Sequence, residues 1–259
     1  MITIYNNNIL ASFLIVLSFI SVFPVPKKFL PEWNNNNLKF FCVMLPPVGI
    51  IFGVSWLLFF YMLSKLIILS EMFRGFIMTL LTLSLTGGLH MDGFMDTCDA
   101  IFSHLDRDTR LKILSDTHSG AFAVMGCVII LMLKSFLFSE IFSHNNKNLF
   151  MLALIPIYSR LGMGLLLNNL PFAKSDGLAV ILGSSRNFHH NIFFAVIFVI
   201  LISFNLHSKI IPVMFIIILI IWKNICSKIF GGITGDLLGA FVEISEAFML
   251  IGAVIEICI

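Results

Sequence analysis

The sequence predicts an all-α fold, a polytopic membrane helix bundle of about seven to eight transmembrane helices forming one domain over residues 1–259. Three observations carry that prediction. The chain is 59% hydrophobic and only 12% charged, with a mean hydropathy of +1.02. A soluble domain carries about 25% charged residues, so half of the usual surface charge is missing and only lipid can accept so much apolar side chain. The 28 phenylalanines are spread along the whole length rather than set in strand-like alternation. Apolar stretches of membrane-crossing length, about 20 residues, recur from one end to the other.

Taken in order, residues 9–23 read as a first span rather than a leader, because no positively charged segment precedes them and no small-residue cleavage site follows. Further spans are predicted near 40–63, 72–89, 120–142, 149–168, 191–207, 210–225 and 237–258. Asn205, His207 and Lys209 separate the sixth from the seventh and favour two short spans over one re-entrant pair. Pro24-Val25-Pro26 and Pro46-Pro47 are expected to end or kink helices. With eight spans, the loops 24–39, 90–119, 169–190 and 226–236 share one side. Those loops and their flanks hold Lys27, Lys28, Lys39, Arg107, Arg110, Lys112, Lys174, Arg186, Lys223 and Lys228. The other side has Lys65, Arg74, Lys134, Lys147 and Lys209. The positive-inside rule makes the first group cytoplasmic and turns both termini outward.

A formal net charge of +2 without a basic run excludes nucleic acid as a partner. The five cysteines, Cys42, Cys98, Cys127, Cys226 and Cys258, are far apart with no C-x-x-C, which indicates buried thiols rather than disulfides or zinc.

The polar motifs all fall in the loops assigned to the cytoplasmic side. Asp92, Asp96 and Asp99 recur at i, i+4 and i+7, one face of a helix. Like charges so placed repel, and a chain gains from them when a cation sits there; oxygen ligands favour Mg²⁺, Ca²⁺ or Mn²⁺ over zinc. Asp116 offers a fourth ligand from a neighbouring element, whereas 106–112 reads as a solvated interfacial helix. His90 stands at the helix entrance, as a base, a ligand or a structural residue. Gly231-Gly232-Ile233-Thr234-Gly235-Asp236 is a glycine-rich turn into a helix, which suits a phosphate. Asp236 and Glu243 share a face of the last span, which also holds Glu246, and ionisable groups at span depth mark function. Arg160, also at span depth, requires a carboxylate, a carbonyl or a bound phosphate, and pairing with Glu243 or Asp236 would satisfy it structurally. Lys174, in a turn at 171–177, is placed to reach a phosphate.

These residues resemble the cobalamin synthase (adenosylcobinamide-GDP ribazoletransferase) family. The resemblance is carried by Pro24-Val25-Pro26, Leu45-Pro46-Pro47-Val48-Gly49, Thr86 to Asp99, Asp116 to Gly120 with Phe122, Ser159-Arg160, Pro171-Phe172-Ala173-Lys174 and Gly231 to Gly239, in the family's order. Cys98, Met91 and Pro47 depart from its usual residues without removing a polar group. The resemblance implies a Mg²⁺-dependent enzyme of the bacterial cytoplasmic (inner) membrane that joins adenosylcobinamide-GDP to α-ribazole, or its 5′-phosphate, and releases GMP. Partners are then the two substrates and the lipid bilayer, with a homo-oligomer allowed. In that scheme Asp92, Asp96 and Asp99, with Asp116, hold the metal. His90 or an aspartate accepts a proton, and Arg160, Lys174, Gly232, Thr234, Asp236 and Glu243 bind substrate.

Two other classes share part of this pattern. A CDP-alcohol phosphotransferase also holds metal on helical aspartates, but its D-x-x-D-G-x-x-A-R pattern is not matched after Asp99, where Ala100-Ile101 follow. An ion or corrinoid transporter places acidic residues near the bilayer midplane, often with inverted repeats, whereas these aspartates lie outside the apolar spans and no repeat is visible.

Overall fold

The computed structural model describes residues 8–144, 149–204 and 209–258. Twelve α-helices run through them. In chain order they are α1 Asn8–Ile20, α2 Asn35–Leu38, α3 Phe41–Ser64, α4 Glu71–Leu85, α5 Leu89–Phe102 and α6 Arg107–Ile113. Then follow α7 Ala121–Ser143, α8 Phe150–Asn169, α9 Leu178–Leu182, α10 His190–Phe204, α11 Ile210–Ile225 and α12 Gly235–Cys258.

Five helical segments are long and apolar enough to cross a membrane: α3, α7, α8, α12 and α11 with the π-turn that prolongs it to Phe230, at 20 to 24 residues each. At 1.5 Å per residue these reach about 30–36 Å, which matches the hydrocarbon core. α1 and α10 are apolar but shorter, with 13 and 15 residues. The predicted span at 72–89 is cut short. α4 stops at Leu85, and α5 leaves at 95° to it. Gly87 and Gly88 stand at φ 61° and 79°, left-handed values that a side chain disfavours, and they make that corner. Pro46 and Pro47 do not end a helix; α3 runs past them to Ser64. The predicted break near 205–209 separates α10 from α11, although Asn205 and His207 themselves lie outside the described residues, as does Lys147. Cys42, Cys98 and Cys226 are buried as predicted, but Cys127 is half-buried and Cys258 exposed; all five are free.

α8 is the central post, buried along nearly its whole length, with α3, α10, α11 and α12 packed around it. Small residues set the closest crossings, as is usual where helices meet in lipid. A Cβ at Gly49 of α3 would come within 2.9 Å of the Pro156 carbonyl on α8. Lys134, assigned in sequence to the far side of the membrane, is instead buried within α7.

The packing draws the loops predicted to share a side to one end of the bundle. Ile233 donates its N–H to the Pro171 carbonyl at 2.8 Å, and Ala173 returns one to the Ile233 carbonyl at 3.1 Å. Arg107 Nε donates to the Phe230 carbonyl at 2.8 Å and Nη2 to the Ala173 carbonyl at 3.0 Å, tying α6 to both. Cys42 Sγ lies 2.9 Å from Ser185 Oγ, which anchors the start of α3 beneath the 183–189 loop.

Candidate active site

On α5 the aspartates do form one face. His90, Met91, Gly93, Phe94, Thr97, Cys98 and Ala100 are buried, while Asp92 is exposed and Asp96 and Asp99 are half-exposed. A buried helix with one open acidic stripe is what the i, i+4, i+7 spacing requires.

α12 starts against this helix. A Cβ on Gly93 would lie 2.8 Å from Asp236 Cα, and one on Gly239 would lie 3.2 Å from His90 Cα. Backbone-on-backbone contact at those two glycines places Asp236 beside Asp92 and Asp96. Gly93→Ala has only backbone to push against, so it should force α5 and α12 apart at a cost of about 1–3 kcal/mol. The loss should be read as a lower unfolding temperature in detergent, and an unchanged temperature would refute the close approach. Thr234 caps α12, its Oγ1 accepting from Leu237 N at 3.3 Å.

The carboxylates crowd one another. Asp92, Asp99, Asp116 and Asp236 all act electrostatically on Asp96, and Lys174 is the cation that acts on Asp236. Asp99 has a further task. Its Oδ2 accepts from Gly120 N at 2.6 Å and its Oδ1 from Ala123 N at 2.9 Å, so it caps α7 from another helix. Replacing a cap by Ala costs about 1 kcal/mol. Asp99→Ala should lose that stability, and Asp99→Asn should recover only part of it, because the amide keeps one acceptor and turns a donor toward the other N–H; thermal unfolding of the two variants measures both losses. Asp116 is exposed and accepts from His118 N at 3.0 Å and lies 2.8 Å from His118 Nδ1. These bonds hold its carboxyl below the usual carboxylate range. Among the described residues, no three His, Cys, Asp or Glu side chains converge into a ready-made metal cage.

A cleft of about 170 Å³ opens between α5, α9 and the start of α12. Its polar wall is His90, Asp92, Lys174, Asp176, Thr234 and Asp236. Five of these were singled out by sequence; Asp176 was not. Lys174 Nζ also donates to Ser115 Oγ. Asp96, Asp99 and Asp116 lie outside the cleft lining, further along the acidic face. Gly232 serves the backbone rather than a ligand: a Cβ there would lie 2.7 Å from Ala173 N, in the way of the pairing with 171–173.

Arg160 and Glu243 are not at the cleft either. They belong to a buried ionic cluster between α7, α8 and α12. Lys134 Nζ lies 2.5 Å from Glu243 Oε2 and 3.0 Å from Glu246 Oε2. Arg160 Nη1 pairs with Glu246 Oε1 and its guanidinium lies 4.3 Å above the Phe52 ring. Two cations thus meet two anions, which is how charge is held at span depth. Arg160 therefore meets Glu246, not Glu243 or Asp236. Lys134 completes the set, and its signal was a lone lysine in the middle of an apolar run. Arg107 left no signal, because its partners are carbonyls.

A multi-pass helical membrane protein with a one-sided carboxylate face at a glycine-rich helix junction is the class that fold and site define. The family model described as cobalamin-5-phosphate synthase matches residues 12–254. Proteins named adenosylcobinamide-GDP ribazoletransferase are similar over most of the chain. The one from Clostridium perfringens is 34% identical over 249 residues, covering 92% of this chain and 96% of its own. That from a Geobacillus species is 32% identical, covering 92% and 93%, and that from Clostridium tetani 32%, covering 93% and 94%. No solved structure matches significantly. The chain belongs to the cobalamin-5-phosphate synthase family, which sets aside the phosphotransferase and transporter readings.

Proposed function

We propose that this chain joins adenosylcobinamide-GDP to α-ribazole or its 5′-phosphate, with release of GMP, at the α5–α12 junction and with Mg²⁺ as cofactor. The observation that carries the proposal is the backbone contact of Gly93 with Asp236, which sets the carboxylates of Asp92 and Asp236 on a cleft that also holds Lys174, with Asp96 next along the acidic face. The ten basic residues of the loops and flanks at this end support a cytoplasmic face.

The chemistry is displacement at phosphorus. A ribose hydroxyl oxygen bonds to the phosphorus that stays with the cobinamide, and the bond from that phosphorus to the bridging oxygen breaks. GMP leaves with that oxygen, and the hydroxyl proton passes to an aspartate or to His90. Charge must be neutralised and the reacting groups lined up. Mg²⁺ takes only one or two carboxylates and completes its shell with waters and phosphates, so crowded aspartates without a closed cage suit it. Asp92 and Asp96 would hold it, with Asp236 beside them and Asp116 next along the face, and it would supply charge stabilisation on the diphosphate. Asp99 shares that face while its two oxygens already cap α7. Lys174 is left to meet a phosphate oxygen at the open edge. Arg160 and Glu243, by contrast, hold α8 and α7 to α12 beneath the site.

Purified protein in detergent, given both substrates and Mg²⁺, should form GMP and a cobalamin product in equal amounts, and EDTA should stop both. GMP formation that ignores α-ribazole would show hydrolysis instead of transfer and would defeat the proposal.

A further inference from the structure

The cleft is too small for one of the two substrates. An apolar cavity of about 150 Å³ holds a single benzene ring, so a cleft of about 170 Å³ takes the edge of one flat ring system through its open mouth and excludes a corrin macrocycle. The cleft lining is also mixed: besides its carboxylates it includes Phe19, Met163, Leu178, Ala179, Val180 and Leu182. A flat apolar ring lies best against those apolar side chains, while sugar hydroxyls face the carboxylates.

We infer that the α5–α9–α12 cleft is the seat of the acceptor's dimethylbenzimidazole base, with α9 and Met163 setting which bases are accepted, while the corrinoid stays outside on the acidic face. The inference rests on the reaction proposed above and adds the placement of its two substrates. The base enters edge-on between α9 and α12, its apolar ring against Ala179 and Val180. The ribose then lies at the cleft mouth by Asp92 and Asp236, where its hydroxyl meets the diphosphate.

Equilibrium dialysis of the full-length protein in detergent would measure α-ribazole and adenosylcobinamide-GDP separately on wild type, Ala179→Leu and Val180→Trp. Val180 is only half-buried, so its replacement is the safer for folding. Both substitutions should weaken α-ribazole about tenfold or more and leave adenosylcobinamide-GDP within about twofold, since pocket contacts discriminate on that scale. On the unaltered protein, a riboside whose base carries a third fused ring should raise KM about tenfold or more. Weakened adenosylcobinamide-GDP with intact α-ribazole, or a third ring accepted without loss, would overturn the placement. A wild type that makes GMP and product while both substitutions leave α-ribazole binding intact loses the placement and keeps the reaction. A wild type that makes neither loses both.

Discussion

Asp92→Asn should lower kcat by about a thousandfold, roughly 4 kcal/mol of transition-state stabilisation, while the protein still folds. The change removes one negative charge from the carboxylate pair that would hold the cation and leaves size and shape alone. Stability should barely move. Asp92 is exposed on the open stripe of α5, and its electrostatic benefit at a helix start is about 0.3–1 kcal/mol. Turnover and unfolding temperature should therefore separate, the first collapsing and the second holding. Asp236→Asn should act in the same direction, because Gly93 presses its backbone against α5. An Asp92→Asn protein with most of its turnover would remove Asp92 from the reaction centre.

The second large effect lies in the buried cluster. Glu246 serves both Arg160 and Lys134, and all four members are nearly inaccessible to solvent. Glu246→Ala leaves two cations facing one carboxylate, and breaking a buried pair from one side costs about 3–5 kcal/mol. The variant should accumulate poorly and unfold at a much lower temperature. Glu243→Gln alone should also destabilise, whereas Lys134→Met together with Glu243→Gln removes one charge of each sign and leaves Arg160 with Glu246. That double variant should recover most of the lost stability. If Glu246→Ala unfolds at the wild-type temperature, the cluster does not hold α7 and α8 to α12.

The aspartate stripe was legible because helical period and chemistry coincide at Asp92, Asp96 and Asp99, and the structure opens that face alone. The membrane class was legible from composition. The corner at Gly87-Gly88 was not drawn from sequence, because hydropathy runs on through Leu85 to Leu89 while the backbone dihedrals break. The second task of Asp99 depends on helix α7, which only tertiary structure brings to it. Gly231 and Gly232 read as a phosphate cradle, yet a Cβ on Gly231 would lie 2.6 Å from Arg107 Nε and one on Gly232 would block the 171–173 pairing. Glycine thus marked a close approach of protein to protein. Arg160 was correctly seen to require a partner, but nothing in sequence chooses Glu246 over Glu243, which lies one turn away on the same helix.

The central claim, that the α5 face with the start of α12 holds a divalent cation against the substrate diphosphate, is tested most directly with Mn²⁺ in place of Mg²⁺. Electron paramagnetic resonance on the full-length protein should show bound Mn²⁺, a phosphorus coupling when adenosylcobinamide-GDP is added, and loss of both in Asp92→Asn. Mn²⁺ bound equally well by Asp92→Asn, or bound without any phosphorus coupling, would contradict the account.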